Sequence, residues 1–251
     1  FLGNAQGGPA GALIAAVIGA EFGKAVSGET KVDILVTPFV TMLIGSFVAV
    51  VVGPPIGAFM TALGNVIMWA TEQQPVIMGI VISVVVGVVL TLPISSAALC
   101  IMLNLSGIAA GAATVGCCCQ MVGFAVQSYK ENGIGGLAAQ GLGTSMIQVP
   151  NIIKNWRIWI PPTAASAVLG PLATTVFQMQ NTPVAAGMGT CGLVGQIGTV
   201  MAMTEAGQPM VQIVLGIGLL QIILPAVVTM IFYKLCARAG WIKAGDMKLD
   251  L

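Results

Sequence analysis

No histidine occurs among the 251 residues, and charged residues make up only 7% of them. The first absence excludes Ser/His/Asp and Cys/His triads, the HExxH zinc site and a phosphohistidine within this chain. The second excludes a water-facing surface over most of the fold, since a soluble domain carries about a quarter charged residues. A net charge of +1 leaves no basic stripe, so nucleic acid is not expected as a partner. What fills the chain instead is apolar: 57% of residues are hydrophobic. The reading is an integral membrane protein with the lipid bilayer as its surroundings. No cofactor and no metal are expected, and with no coherent catalytic set an enzyme is the least supported reading.

Six cysteines, at 100, 117, 118, 119, 191 and 236, stand in apolar context without paired loop spacing, so they read as small buried residues rather than a disulfide framework. Cys117, Cys118 and Cys119 are consecutive, and consecutive helical residues fan out around the axis, which prevents three thiols from converging on one ion. The chain opens at Phe1 with neither an initiating Met nor a basic signal region, and residues upstream of it are expected.

A spanning helix needs about 20 mostly apolar residues. Seven runs qualify as candidates: 10–23, 32–52, 56–70, 76–92, 107–127, 158–177 and 210–235. The first and third are short for a span. Basic residues near helix ends mark the cytoplasmic side. Lys234, Arg238, Lys243 and Lys248 therefore put the C-terminus inside. Lys154 and Arg157 then precede an outward-going run and Lys130 ends an inward-going one; Lys24, Lys31 and Glu72 fall inside as well. The aromatic rings Trp156, Trp159 and Trp241 fit an interfacial belt. Glu21 and Lys24 are spaced to pair on one helix face, and Glu205 reads as an external loop acid.

Two connections are too long and too apolar for turns, and they share a pattern. GLGTS occupies 141–145 on the cytoplasmic side, and GMGTC occupies 187–191 on the external side, opening a stretch with five glycines in thirteen residues. Irregular backbone at membrane depth is tolerated only where protein buries it or a wet cavity receives it. Oppositely oriented Gly-interrupted segments point to a transporter site. The expectation is two re-entrant elements that bring Gly143, Thr144 and Ser145 to Gly189, Thr190 and Gln196 around a small polar solute. Gln148 and Asn104 are further candidates because an intramembrane amide needs a partner. Small residues also let membrane helices pack closely, and packing stands as the competing reading of both stretches. Gln120, alone in the middle of its run, reads as an interhelical hydrogen-bonding residue.

With AAQGLGTSMIQVPNIIKNWRIWIPPTAASAVLGPLATTVF, then GMGTCGLVGQIGT, then GWIKAGDMKL, the chain resembles the phosphotransferase-system enzyme IIC-like membrane family, in the branch described as perfringolysin or toxin regulators. The resemblance runs over about 10–249. It implies a dimeric bacterial inner-membrane protein, a homodimer of IIC-like subunits with a scaffold and a moving transport part, and separate IIA and IIB proteins as partners. The expected architecture is all-α and polytopic: one IIC-like membrane domain over 1–251, with a first group of helices at 1–130, the two re-entrant segments around one span at 131–205, and a last span and tail at 206–251. The expected function is transport of a sugar-like solute by alternating access. The alternative is a membrane-embedded sensor or regulator that binds the same solute without moving it.

Overall fold

The computed structural model describes residues 2–29, 32–93 and 95–249; Lys31, one of the topology markers, lies outside the described residues. Every regular element among them is helical: α1 (Leu2–Val26), α2 (Asp33–Gln73), α3 (Pro75–Thr91), α4 (Ser96–Met102), α5 (Gly107–Gln127), α6 (Tyr129–Ala138), α7 (Val149–Lys154), α8 (Ile160–Thr175), α9 (Val194–Glu205), α10 (Met210–Gly216) and α11 (Leu224–Arg238). Three helical stretches are long and apolar enough to cross a membrane, namely α2, α5 and the continuous run from Met210 to Arg238, and α3 is a shorter apolar helix.

The chain forms two compact units. One comprises residues 1–66 and 101–104, the other 67–100 and 105–251. In the first unit, α1 crosses α2 at glycines: a methyl group on Gly19 would come within 2.8 Å of the Thr41 carbonyl. Large apolar side chains of α2, among them Ile34, Leu35, Phe39, Met42, Phe47 and Phe59, are exposed. Such a surface suits lipid rather than water.

The runs 32–52 and 56–70 were expected as separate spans, but they are one 41-residue helix that passes through Pro54 and Pro55. Proline removes one backbone donor and crowds the preceding turn. In an apolar setting the backbone has no water to turn to, so continuing the helix satisfies the remaining groups. At 1.5 Å per residue the helix is about 62 Å long, twice a hydrocarbon core of about 30 Å.

The second unit is built around α5, of which nearly every residue is buried. Helices α3, α8 and α11 pack around it. Small residues make this possible. A methyl group on Gly116 would fall 1.9 Å from the Ser83 carbonyl, and one on Gly170 would fall 2.3 Å from that of Gly79, so α3 meets both α5 and α8 almost backbone to backbone. Ser83 Oγ donates to the Ser166 carbonyl at 2.8 Å across the α3–α8 contact. Larger side chains, Leu169, Met179, Met203, Ile213 and Leu220, form one buried apolar cluster with Val115 and Cys119 of α5.

Candidate functional site

Both glycine-rich connections abandon regular α-helix, and each does so at its pentapeptide. After α6, itself interrupted at Gly133 with φ of +59°, residues 139–143 wind as a π-helical turn, Thr144 is extended, and 145–148 form a 3-10 turn that leads into α7. The second connection makes turns through 183–190 and a short 3-10 segment at 191–193, then enters α9. Gly189, Gly192 and Leu193 carry positive φ, at 55°, 52° and 60°. The two glycines adopt this conformation at little cost, whereas Leu193 stores strain of about 1 kcal/mol or more.

The two copies meet. Thr190 Oγ1 donates to the Gly141 carbonyl, joining the fourth residue of one pentapeptide to the first of the other. Thr144, Met146, Met188 and Cys191 also line one cavity of about 380 Å³, closed by Leu90, Pro93 and Ser95–Ala97 at the end of α3 and the start of α4. This volume falls within the range of about 300–1,000 Å³ common for small-molecule pockets, and a mostly apolar lining with a few hydroxyls is the usual composition of such sites. Ser96 fixes the rear wall, its Oγ donating to the Gly187 carbonyl at 2.6 Å.

The predicted residues are placed as follows. Thr144 Oγ1 accepts from the Met146 N–H at 3.1 Å, capping the 3-10 turn while its own O–H is left to donate. Gly143 is exposed, with nothing within 4 Å of where a methyl group would stand, while Gly189 is pressed against α5, a methyl group there lying 2.9 Å from the Cys117 backbone. Ser145 is fully buried and turned away from the cavity into a network: its hydroxyl shares a 2.9 Å hydrogen bond with Thr91, which also donates to Gln120 Oε1 at 3.3 Å. Gln148 is fully buried too, its Nε2 donating at 3.0 Å to Gln140 Oε1 and at 3.1 Å to the Met247 carbonyl, while its Oε1 accepts from Asn151. Gln196 Nε2 reaches the Cys118 sulfur at 3.6 Å, and its buried Oε1 has no hydrogen-bond partner. Asn104, exposed and with φ of +50°, belongs to the other compact unit and is not among the residues that line this cavity.

Gln120 does join helices: it accepts from Thr91 on α3 and donates to Thr163 on α8 at 3.2 Å. It also accepts from Trp159 Nε1 at 3.0 Å, which draws that indole into the bundle. Trp159 is therefore partly buried rather than wholly in an interfacial belt, because an indole N–H next to a buried amide oxygen satisfies both groups. A second polar cluster escaped the sequence reading. Asn181 Nδ2 donates to Thr114 Oγ1 at 2.7 Å, to the Gly195 carbonyl at 3.0 Å and to Thr199 Oγ1 at 3.3 Å, and Gln221 donates to Thr199 at 2.9 Å. The available signal was Thr114 and Gln221 inside apolar runs and Asn181 and Thr199 in the connection between two of them, polar groups that an apolar setting obliges to pair.

No curated protein and no solved structure matches the chain. A family model described as phosphotransferase system, EIIC matches residues 1–249. An all-helical fold with apolar helices of spanning length accords with that match, and a match over nearly the whole chain makes it a member of the phosphotransferase-system EIIC family, the membrane component of sugar transport.

Proposed function

We propose that the chain carries a small polar, sugar-like solute across a bacterial inner membrane by alternating access, and that the solute sits in the cavity between the two pentapeptides. The observation that carries this reading is the convergence of two copies of one motif, distant in sequence, on a single cavity and on each other through Thr190 and Gly141. Thr144 from the first copy, and Met188 and Cys191 from the second, line the two walls, with Gly143, Gly189 and Thr190 next to them in the chain. Thr144 retains a free hydroxyl proton, and Ser95 and Ser96 add hydroxyls opposite it. Ser145 and Gln148 act from behind the wall. The two connections are re-entrant elements entering from opposite faces, with Lys130, Lys154 and the C-terminus cytoplasmic and Glu205 external, as the distribution of basic residues supports. The working unit is a homodimer served by separate IIA and IIB proteins, the arrangement that membership of an EIIC family supports.

The test uses proteoliposomes containing only this chain and a panel of radiolabelled sugars. Saturable exchange of at least one sugar is expected. Alkylation of Cys191, the one partly accessible thiol among six, should block it, and Cys191→Ser should abolish that sensitivity. Binding without exchange would sink transport in favour of a sensor, and exchange indifferent to alkylation at Cys191 would move the solute elsewhere.

A further inference from the structure

The described residues after α11, 239–249, do not trail from it. Glu131 on α6 accepts the Gly245 N–H at 3.0 Å on one carboxylate oxygen and the Met247 N–H at 2.9 Å on the other. Asn132 donates to the Met247 carbonyl and accepts from the Leu249 N–H, both at 2.8 Å. Asn155 Nδ2 donates to Asp246 Oδ2 at 2.7 Å, and Asn151 Nδ2 donates to the Lys248 carbonyl at 3.0 Å. Met247 itself is fully buried, packed in a cluster with Phe124, Ile152, Ile158, Cys236 and Ile242.

This tail touches Gln148, one of the two amides that bracket the first pentapeptide. Gln140 and Gln148 stand on either side of GLGTS and are joined at 3.0 Å, Nε2 to Oε1, so the residues between them form a closed loop. One end of the clamp is tied to α5 and α6, since Gln140 Nε2 donates to Ser128 Oγ at 2.7 Å and to the Gly136 carbonyl at 3.1 Å. The other end is tied to the tail, because the second Nε2 proton of Gln148 goes to the Met247 carbonyl at 3.1 Å. Gln140 and Gln148 are fully buried and Asn151 nearly so. Amides this deep gain most from complete pairing, and losing one partner disturbs the rest of the network.

We infer that the C-terminal tail sets the shape of the cavity wall: Glu131 holds the tail, the tail's Met247 carbonyl holds Gln148, and the Gln140–Gln148 clamp fixes the loop that presents Gly143 and Thr144. Glu131, Gln140 and Gln148 are positioning residues on this account. Their relevance to a solute rests on the reading of that cavity as the solute site, but the coupling itself is measurable without any solute.

The native thiols supply the readout. Cys191 lines the cavity opposite Thr144, Cys236 lies under the tail, and Cys117, Cys118 and Cys119 sit in the fully buried core of α5. N-ethylmaleimide labelling of each thiol in the full chain, followed by mass spectrometry, is compared under conditions where the α5 thiols stay unlabelled. Glu131→Gln keeps shape but faces an N–H with a second N–H, and the substituted side chain is itself part of neither the clamp nor the cavity lining. Both Cys236 and Cys191 should label about ten-fold faster in that variant, since loss of charge-assisted hydrogen bonds raises local opening by at least that factor. Gln148→Glu cuts the relay at its centre and should speed Cys191 by a similar factor while leaving Cys236 closer to its native rate. The double variant should match Gln148→Glu at Cys191. Faster labelling confined to Cys236 in Glu131→Gln, or multiplied rates at Cys191 in the double variant, would overturn the relay. A loss of sugar exchange with unaltered labelling would tell against this coupling alone and leave the transport reading standing.

Discussion

Gly143 and Gly189 hold the same place in the two copies of the pentapeptide, yet one faces open space and the other is wedged against the backbone of Cys117. The threonines that follow them diverge in the same way. Thr144 hydrogen-bonds within its own turn, whereas Thr190 reaches into the other copy. The first copy is held from behind, through its flanking glutamines, and keeps its front free. The second is held by its front, jammed onto α5 with a backbone that needs positive φ at Gly189, Gly192 and Leu193. Of the two copies, one is open in front and the other is fixed. On the proposed function, packing and solute binding, which compete as explanations of a glycine-rich stretch, are divided between them.

The largest effect should come from the fixed wall. Gly189→Leu combines an overpacked contact with a left-handed backbone and is expected to destabilise by about 3 kcal/mol or more, whereas Gly143→Ala should stay within about 0.5 kcal/mol of the parent. Thermal melts of the two variants in detergent check this, and equal losses would erase the distinction. Next come the hydroxyls. Thr190→Val leaves the Gly141 carbonyl short of a partner and should cost about 1 to 3 kcal/mol of stability, and Thr144→Val, which removes a cap, about 1 kcal/mol. In sugar titrations of the same variants, Thr144→Val is expected to lose about five-fold or more in affinity, the equivalent of about 1 kcal/mol; unchanged affinity would remove Thr144 from the solute site. The smallest perturbation sharpens the placement of the copies on opposite faces. Single cysteines replacing Lys130, Lys154 and Glu205 in a Cys-free background should leave stability unchanged, with only position 205 labelled from outside. External labelling at 154 would break the proposed topology.

Much of the architecture was legible in the residues because membrane burial leaves a one-dimensional signal. The run 107–127 is α5 to the residue, and 76–92 is α3 shifted by one. A proline pair misled at 53–55, where local propensity argues for a break but a water-free setting favours an unbroken helix. The candidate site divides similarly. The two pentapeptides do meet, Thr190 bonding to the Gly141 carbonyl while Thr144 lines the cavity between them, and a repeated glycine-and-hydroxyl pattern in long apolar connections made that pairing legible. Ser145 and Gln148 were expected beside the solute, but both are buried and paired within the protein, and which partner they take depends on what the fold brings beside them.

Composition and hydropathy order by themselves determined that these 251 residues are helical, membrane-embedded and without a histidine of their own for chemistry, because each of these follows from what a residue can bury or donate wherever it is placed. Tertiary structure alone decided which copy of the motif is wedged and which is free, that Asn181 and Gln221 close a second polar cluster, and that the tail returns to Gln148. Those outcomes rest on hydrogen bonds between residues as far as 117 positions apart, as from Asn132 to Leu249, and such pairings are set by the approach of helices through their glycines rather than by any local preference of the chain.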